Sequence, residues 1–389
     1  MKEKWDIIYI GNEYSTDNRT SSHHIAHRLS ANHNLLYIEA SGLRKPRATG
    51  SDFGKIFRRI KKLFSPLKTL ENGLRVKSLF ILPFPELFFV PWFNRVLTLF
   101  TIRRAAKKLG IGNSPIIWCT VPTLANIIEE LNPLAIVYYC VDDFSALPDV
   151  DVKHIIELDH KLSSMASVIF TPSIPLYEKK VAQYSNVQLS PHGVDVEHFS
   201  KADEFGKIPD DIADIKGPVI GFFGLIEHWI DIELVCFLAR KLPNITVIMI
   251  GRVTINLNSF DVPPNVLFVG QRPYESLPDY ARRFDVAIIP YVLNQQVFNS
   301  NPLKLREYLA TGKPIVSVSC PEIDKYGHVV NIAKDYSHFA QLVEGSLTDK
   351  SQQKSALRIA SISDETWETR YEKVCYLVDE AINKTRKLN

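Results

Sequence analysis

The sequence predicts an α/β protein built from two doubly wound domains in series. Three observations carry that expectation. At 389 residues the chain exceeds the size at which one hydrophobic core keeps growing, so two domains are the default. Short apolar runs alternate with longer amphipathic ones, the pattern of parallel sheets covered on both faces. That alternation stops at a polar stretch near residue 200 and then restarts.

In the first half, strands are expected at Asp6–Gly11, Leu35–Glu39, Leu74–Leu82, Ile116–Thr120, Ala135–Val141, Val168–Thr171 and Val187–Ser190. Helices are expected at Ser21–Ala31, Phe93–Leu109, Val121–Leu131, Val152–Ala166 and Ile174–Tyr184. The segment from Pro191 to Phe199, with the charged run to Gly217, reads as a linker. Strands then fall at Val219–Phe223, Thr246–Ile250, Val266–Val269, Val286–Ile289 and Ile315–Val318. Helices fit Ile232–Lys241, Leu277–Arg283, Lys304–Ala310 and Tyr336–Gly345, and a last amphipathic helix begins near Trp367. The expected units are residues 1–200, 201–365 and a closing helix over 366–389 that crosses back to the first domain.

Composition narrows the class. Apolar content of 46% and charged content of 23% exclude a disordered or fibrous chain. Five scattered cysteines with no CxxC pair argue against a zinc site or a disulfide framework, and for a reducing cytosol. The amino terminus lacks a secretory pattern. The longest apolar stretch, Leu79 to Phe93, is interrupted by Pro83, Pro85, Glu86 and Pro91 and should not span a bilayer.

Net charge is only +3, but basic residues crowd between Arg44 and Lys77, against Asp52 and Glu71 alone. There Phe53, Ile56, Phe57, Ile60, Leu63 and Phe64 recur opposite Arg58, Arg59, Lys61 and Lys62. Such a basic amphipathic segment suits peripheral contact with an anionic membrane. The expected location is the cytoplasmic face of the cell membrane. Nucleic acid is not expected, because the cluster is local and no binding motif accompanies it.

The most informative stretch runs from Asn301 to Val316. Pro302 suits the first helical position, where its missing N–H costs little. The helix that follows offers free amides and a positive dipole end to an anion. Lys304 lies in its first turn, within reach of the same phosphate. Glu307 lies one turn on, where a carboxylate can accept both hydroxyls of a ribose. Gly312 closes the helix. Two adjacent acids, Asp142 and Asp143, follow the buried run Ala135–Val141, hence stand at a carboxyl edge where clefts open. Either can serve as a general base, with Asp143 preferred. The polar loop from Glu13 to His24 follows the first strand, and Asp17, Arg19, His23 and His24 are its candidates for binding an acceptor.

These pieces, in this order, resemble the GT-B-fold glycosyltransferases, particularly the group 1 type of bacterial polysaccharide assembly and related glucuronosyltransferases. The carriers are Ala166 to Ser173, His192 to Asp195 with Phe199, Ile220 to Gly224, Asn265 to Gly270, Asp285 to Pro290 and Pro302 to Pro314. The resemblance implies two Rossmann-like domains facing across a cleft, and a hexosyltransferase. It implies a nucleotide-sugar donor, UDP-linked, in the second domain and a lipid-linked or oligosaccharide acceptor in the first. Glu307 looks like the ribose-binding glutamate, while Ser300, Asn301, Pro302, Leu303 and Lys304 look like the segment facing the pyrophosphate. Gly224 resembles the small residue beside the phosphates. Gln271, Arg272 and Tyr274 occupy the loop near the nucleobase, and Tyr291 faces the same cleft. No metal cofactor is implied.

Three positions depart from the family pattern. Asn299 stands where many retaining members have an earlier glutamate. Leu225 and Ile230 stand where many have an arginine and a lysine. Phosphate charge then falls to Lys304, His228 and Arg252. A nucleotide-sugar epimerase of the same architecture, and a non-catalytic partner that keeps the fold, are the alternatives. A dinucleotide oxidoreductase is disfavoured, because Gly221 to Gly224 lacks GxGxxG spacing.

Overall fold

The computed structural model describes residues 4–14, 20–40, 66–70, 73–82, 88–203 and 206–388. The expected basic amphipathic segment around residues 53–64, and Asp17 and Arg19, lie outside these residues.

Fourteen strands form two sheets among the described residues. The first contains β1 (Asp6–Gly11), β2 (Asn34–Glu39), β3 (Lys68–Thr69), β4 (Arg75–Ser78), β5 (Ile116–Cys119), β6 (Ala135–Tyr139), β7 (Val168–Thr171) and β8 (Val187–Leu189). Their order is β3-β4-β2-β1-β5-β6-β7-β8, parallel except for the antiparallel β3–β4 edge. The second contains β9 (Val219–Phe223), β10 (Thr246–Ile250), β11 (Val266–Gly270), β12 (Val286–Ile289), β13 (Ile315–Val318) and β14 (Asn331–Ala333). Its order is β11-β10-β9-β12-β13-β14. The strand order reverses between β9 and β12, the crevice where doubly wound sheets bind ligands.

The helices that matter for the site are α1 (Ser21–Asn32), α2 (Val90–Lys108), α3 (Val152–Met165), α4 (Ile174–Val181), α5 (Gln295–Asn299), α6 (Leu303–Ala310) and α7 (Trp367–Leu388). Alternation along β1 sorts its side chains to two cores. Ile8 and Ile10 pack with Leu99 and Ile102 of α2 and Ile155 and Leu158 of α3. Ile7 and Tyr9 pack with Ile25 and Leu29 of α1 and with α7. Along α7 the inward residues Trp367, Tyr371, Val374, Val378 and Ile382 repeat at helical spacing. The terminal helix therefore caps the first sheet although it follows the second.

The linker fixes that return. The Val194 amide donates to Glu365 O at 2.9 Å, and the Trp367 amide donates to Val194 O at 3.3 Å. A Cβ on Gly193 would stand 2.7 Å from the Trp367 nitrogen, so only glycine admits this approach. Gly193→Ala should cost about 1–3 kcal/mol, read as a lower denaturation midpoint. An unchanged midpoint would show that the crossing is slack.

Two of the expected elements need correction. The run Val121–Leu131 is a series of tight turns ending in a 3₁₀ turn at Ile128–Leu131. Its amides bond three residues back, as Ala125 does to Pro122 and Ile127 to Leu124, while Val121, Leu124, Ala125, Ile127 and Ile128 are all buried. Burial on several sides favours this compact path over a one-faced helix. The strand expected to reach Leu82 stops at Ser78, because Asn94 takes over the Leu82 amide at 2.8 Å and its carbonyl at 3.1 Å. Strand β14 and helix α5 were not foreseen, being only three and five residues long. Among the described residues no helix is long and apolar enough to cross a membrane.

Candidate functional site

The site starts where β9 and β10 end. Gly224 and Gly251 follow these strands with φ of +151° and +150°, a backbone that glycine adopts without strain. A Cβ on Gly251 would stand 1.7 Å from Gly224 O. The two strand ends thus form a floor of bare backbone. Helix α6 opens beside it. Pro302 occupies the capping position, with φ −66° and ψ 117°, one residue before the first turn and not within it as the sequence suggested. Leu303 is the first helical residue, so the amides of the first turn remain open to an anion.

Lys304 reaches over this floor: its Cε lies 2.9 Å from where a Gly224 Cβ would stand. Its ammonium is 2.6 Å from Glu307 Oε2 and 4.9 Å from the centre of the Phe223 ring. Behind it, the Tyr308 hydroxyl accepts from the Phe223 amide at 2.9 Å and ties α6 to β9. Glycine floor, helix terminus, lysine and buried glutamate therefore converge at the switch point of the second sheet.

A cleft of about 850 Å³ lies between the two domains, lined by Asp143, Ser145 and Lys179 on one side and by His228, Gln296 and Asn299 on the other. The two adjacent acids differ sharply here. Asp143 accepts from Lys179 at 2.7 Å, Asn299 Nδ2 at 2.7 Å and Ser145 Oγ at 2.6 Å. Burial alone would raise its pKa, but these donors outweigh it and hold the carboxyl below the usual range. Asp142 has no such cation. Burial, helped by the neighbouring Asp143 charge, pushes it up to about 6, opposed by hydrogen bonds from the Asp143 amide and Gln296. Gln296 in turn accepts from His228 Nε2 at 2.8 Å. Asp143 is thus a fixed latch between domains, and Asp142 is the weaker acid of the two.

Asn299 and Asn301 pin the segment that leads into α6. Ser173 Oγ donates to Asn299 O at 2.5 Å, and Asn301 Nδ2 donates to Pro172 O at 2.7 Å. Asn301 also accepts from Arg306 at 2.6 Å, and Arg306 bonds Glu365 at 2.5 Å. The segment is thereby held by the first domain on both sides of Ser300.

Residues 217–349 match the model of the family described as glycosyl transferases group 1. That match covers the second sheet and α6, and over this region the chain is similar to the group 1 glycosyl transferases. Over 233 residues the chain is 28% identical to TuaH of Bacillus subtilis (strain 168), named a teichuronic acid biosynthesis glycosyltransferase. That match covers 55% of this chain and 58% of TuaH, so the chain spans little more than half of that relative. Anabaena HepE, solved with UDP and glucose, superposes with a TM-score of 0.67 at 13% identity, covering 96% of this chain and 99% of its own. Sucrose-phosphate synthase from Thermosynechococcus elongatus gives 0.68 at 13% identity, covering 97% and 99%. The two facing parallel sheets are the GT-B fold.

Within the second domain, Gly224, Tyr291, Ser300, Asn301, Pro302, Leu303, Lys304 and Glu307 gather around α6 and the strand ends, and His228 lines the cleft. Others do not join them. Arg272 is committed to Asp211 at 2.7 Å and to the Tyr280 hydroxyl at 2.6 Å. Tyr274 is buried and stacked on His198, with ring centres 4.6 Å apart. Gln271 and Arg252 are exposed on the loops after β11 and β10. In the first domain His24 stacks on Trp367 at 4.5 Å, while His23 Nδ1 accepts from the Thr20 amide at 3.3 Å. Both pack within α1 and its surroundings.

Sequence reading passed over Gly251, Lys179 and Gln296. Gly251 had a signal, since it follows β10 as Gly224 follows β9. Lys179 and Gln296 had none, because each matters only through a partner brought from the other end of the fold.

Proposed function

We propose that this chain transfers a sugar from a UDP-linked donor to a lipid-linked or oligosaccharide acceptor in cell-surface polysaccharide synthesis. The observation that carries the reading is the convergence of Lys304, Glu307 and the Gly224–Gly251 floor at the open end of α6. The similarity to TuaH, and the UDP complex of the HepE relative, support the donor and pathway class.

In this reading the diphosphate lies against the first-turn amides and Lys304, and Glu307 accepts from the ribose hydroxyls, releasing Lys304 to the phosphates. Asp142 removes the proton of the acceptor hydroxyl. Its oxygen then bonds to the anomeric carbon as the bond from that carbon to the diphosphate breaks. The leaving group's charge is met by Lys304 and the helix end, which is electrostatic stabilisation of a fixed kind. No metal takes part in this scheme, so chelation by EDTA should leave turnover unchanged. His228 holds Gln296, which positions Asp142. The protein works at the inner face of the membrane, where a lipid-borne acceptor is presented.

A panel of UDP-sugars read by thermal shift tests the reading. At 100 times its dissociation constant the true donor should stabilise the fold by about 2.7 kcal/mol. Absence of any shift across the panel, or a new epimer formed without acceptor, would count against a transferase.

A further inference from the structure

Helix α2 has two unlike faces. Val90, Thr98, Leu99, Ile102, Ala105 and Ala106 are buried, with Leu99, Ile102, Ala105 and Ala106 in the core of the first sheet. On the opposite side Phe89, Trp92, Phe93, Val96 and Phe100 are exposed, and Phe88 just before them is fully so. Trp92 keeps 63% and Phe100 60% of their surface in water. Steps of three and four residues place these side chains in one stripe. Arg104 and Lys107 continue the same stripe, α2 contains no acidic residue, and Arg103 beside them donates to the Glu130 carbonyl at 2.6 Å.

A contiguous aromatic surface of this size is rare on a protein that meets only water. Its position is also informative. Helix α2 leaves the carboxyl edge of the first sheet after β4 and runs back to the start of β5, so its aromatic end stands at the edge where the cleft opens. The Asn94 bonds to Leu82 fix that end. The basic end lies about 28 Å away along 19 residues.

We propose that the outward stripe of α2 is a docking surface for an anionic lipid bilayer. The aromatic rings enter the boundary between headgroups and acyl chains, and the arginine and lysine remain at headgroup level against lipid phosphates. Charge selects this occupant over a second copy of the chain. Self-pairing of the stripe would set cations against cations or bury them against rings, whereas a bilayer surface solvates both parts at once. The inference rests on the reading that the acceptor is lipid-borne, and gives it a place: the docked face puts the cleft edge at the membrane.

Sedimentation of the full chain with vesicles tests this, using phosphatidylcholine alone and phosphatidylcholine mixed equally with phosphatidylglycerol. The chain should bind the anionic vesicles. Trp92→Ser together with Phe100→Ser should lower the partition coefficient by about tenfold per aromatic. Arg104→Gln with Lys107→Gln should lower it by about fivefold per charge, on the anionic vesicles only. All variants should keep the parent's thermal shift with UDP, which shows that they are folded and reports the donor site separately. A parent chain that ignores both vesicles overturns the proposal, as do variants that bind like the parent. Dimerisation abolished by the aromatic pair, with vesicle binding intact, overturns it in favour of self-association.

Discussion

Glu307→Ala should reduce UDP affinity by about two to four orders of magnitude and abolish measurable transfer. In the proposed complex the carboxylate accepts two hydrogen bonds from the ribose. Hydrogen bonds to a charged group contribute about 1.5–3 kcal/mol each. The substitution also leaves Lys304 without the partner it now holds at 2.6 Å. Glu307→Gln keeps one acceptor oxygen and should lie between the parent and the alanine variant. Isothermal titration with UDP measures the effect directly, and thermal melts establish that the fold persists. Near-parent affinity in Glu307→Ala would remove the donor site from α6.

The second large effect concerns Asp142. Asp142→Asn should lower turnover about 10²–10⁴-fold, the usual worth of a positioned base, while donor affinity stays unchanged. In the parent, kcat/KM should rise with pH through a limb centred near 6, since the ionised carboxylate is the active form and burial places its pKa there. At pH 5 the rate should be about a tenth of its plateau. The stability effect has the opposite sign. A carboxyl raised in the folded state is favoured when protonated, so its contribution to stability is lost as pH climbs from about 4 to 6. Above pH 6 the asparagine variant should melt at or above the parent's temperature. Lower activity with equal or greater stability separates a base from a structural acid. Asp143→Asn, by contrast, breaks the contacts to Lys179 and Asn299 and should lower stability. If Asp143→Asn erases the pH limb and Asp142→Asn does not, the assignment of the base is reversed.

The legible parts of this molecule were those written in local periodicity. Buried parallel strands such as β1 and β9 read as apolar runs, and α6 announces itself through Pro302, Gly312 and the Lys304–Glu307 spacing. The candidate site around α6 was visible for that reason, since most of it lies in one continuous stretch. The two acids were not separable in this way. Asp142 and Asp143 share one sequence context, and what distinguishes them comes from residues 36 and 156 positions away, Lys179 and Asn299. The partner of Arg272 was hidden for the same reason: Asp211, which it bonds, lies 61 positions earlier. Helix α2 is apolar on both sides, so its pattern could not say which side meets water. Only packing against the sheet decides that.

The interdomain contacts bear on how the site works. Asn299 and Asn301 flank the residue that enters α6, and both are bonded to the first domain. A shift of one domain against the other therefore moves the start of the donor helix. Coupling of this kind would let occupation of one side of the cleft adjust the other, through hydrogen bonds that already exist.

In the proposed complex one helix end and one glutamate hold a nucleoside diphosphate. A crystal of the chain soaked with UDP tests it most directly. Phosphate oxygens are expected against the amides of Leu303 and Lys304 above Gly224 and Gly251, with ribose hydroxyls on Glu307. Density for UDP elsewhere, with Lys304 and Glu307 still paired to each other, would contradict it.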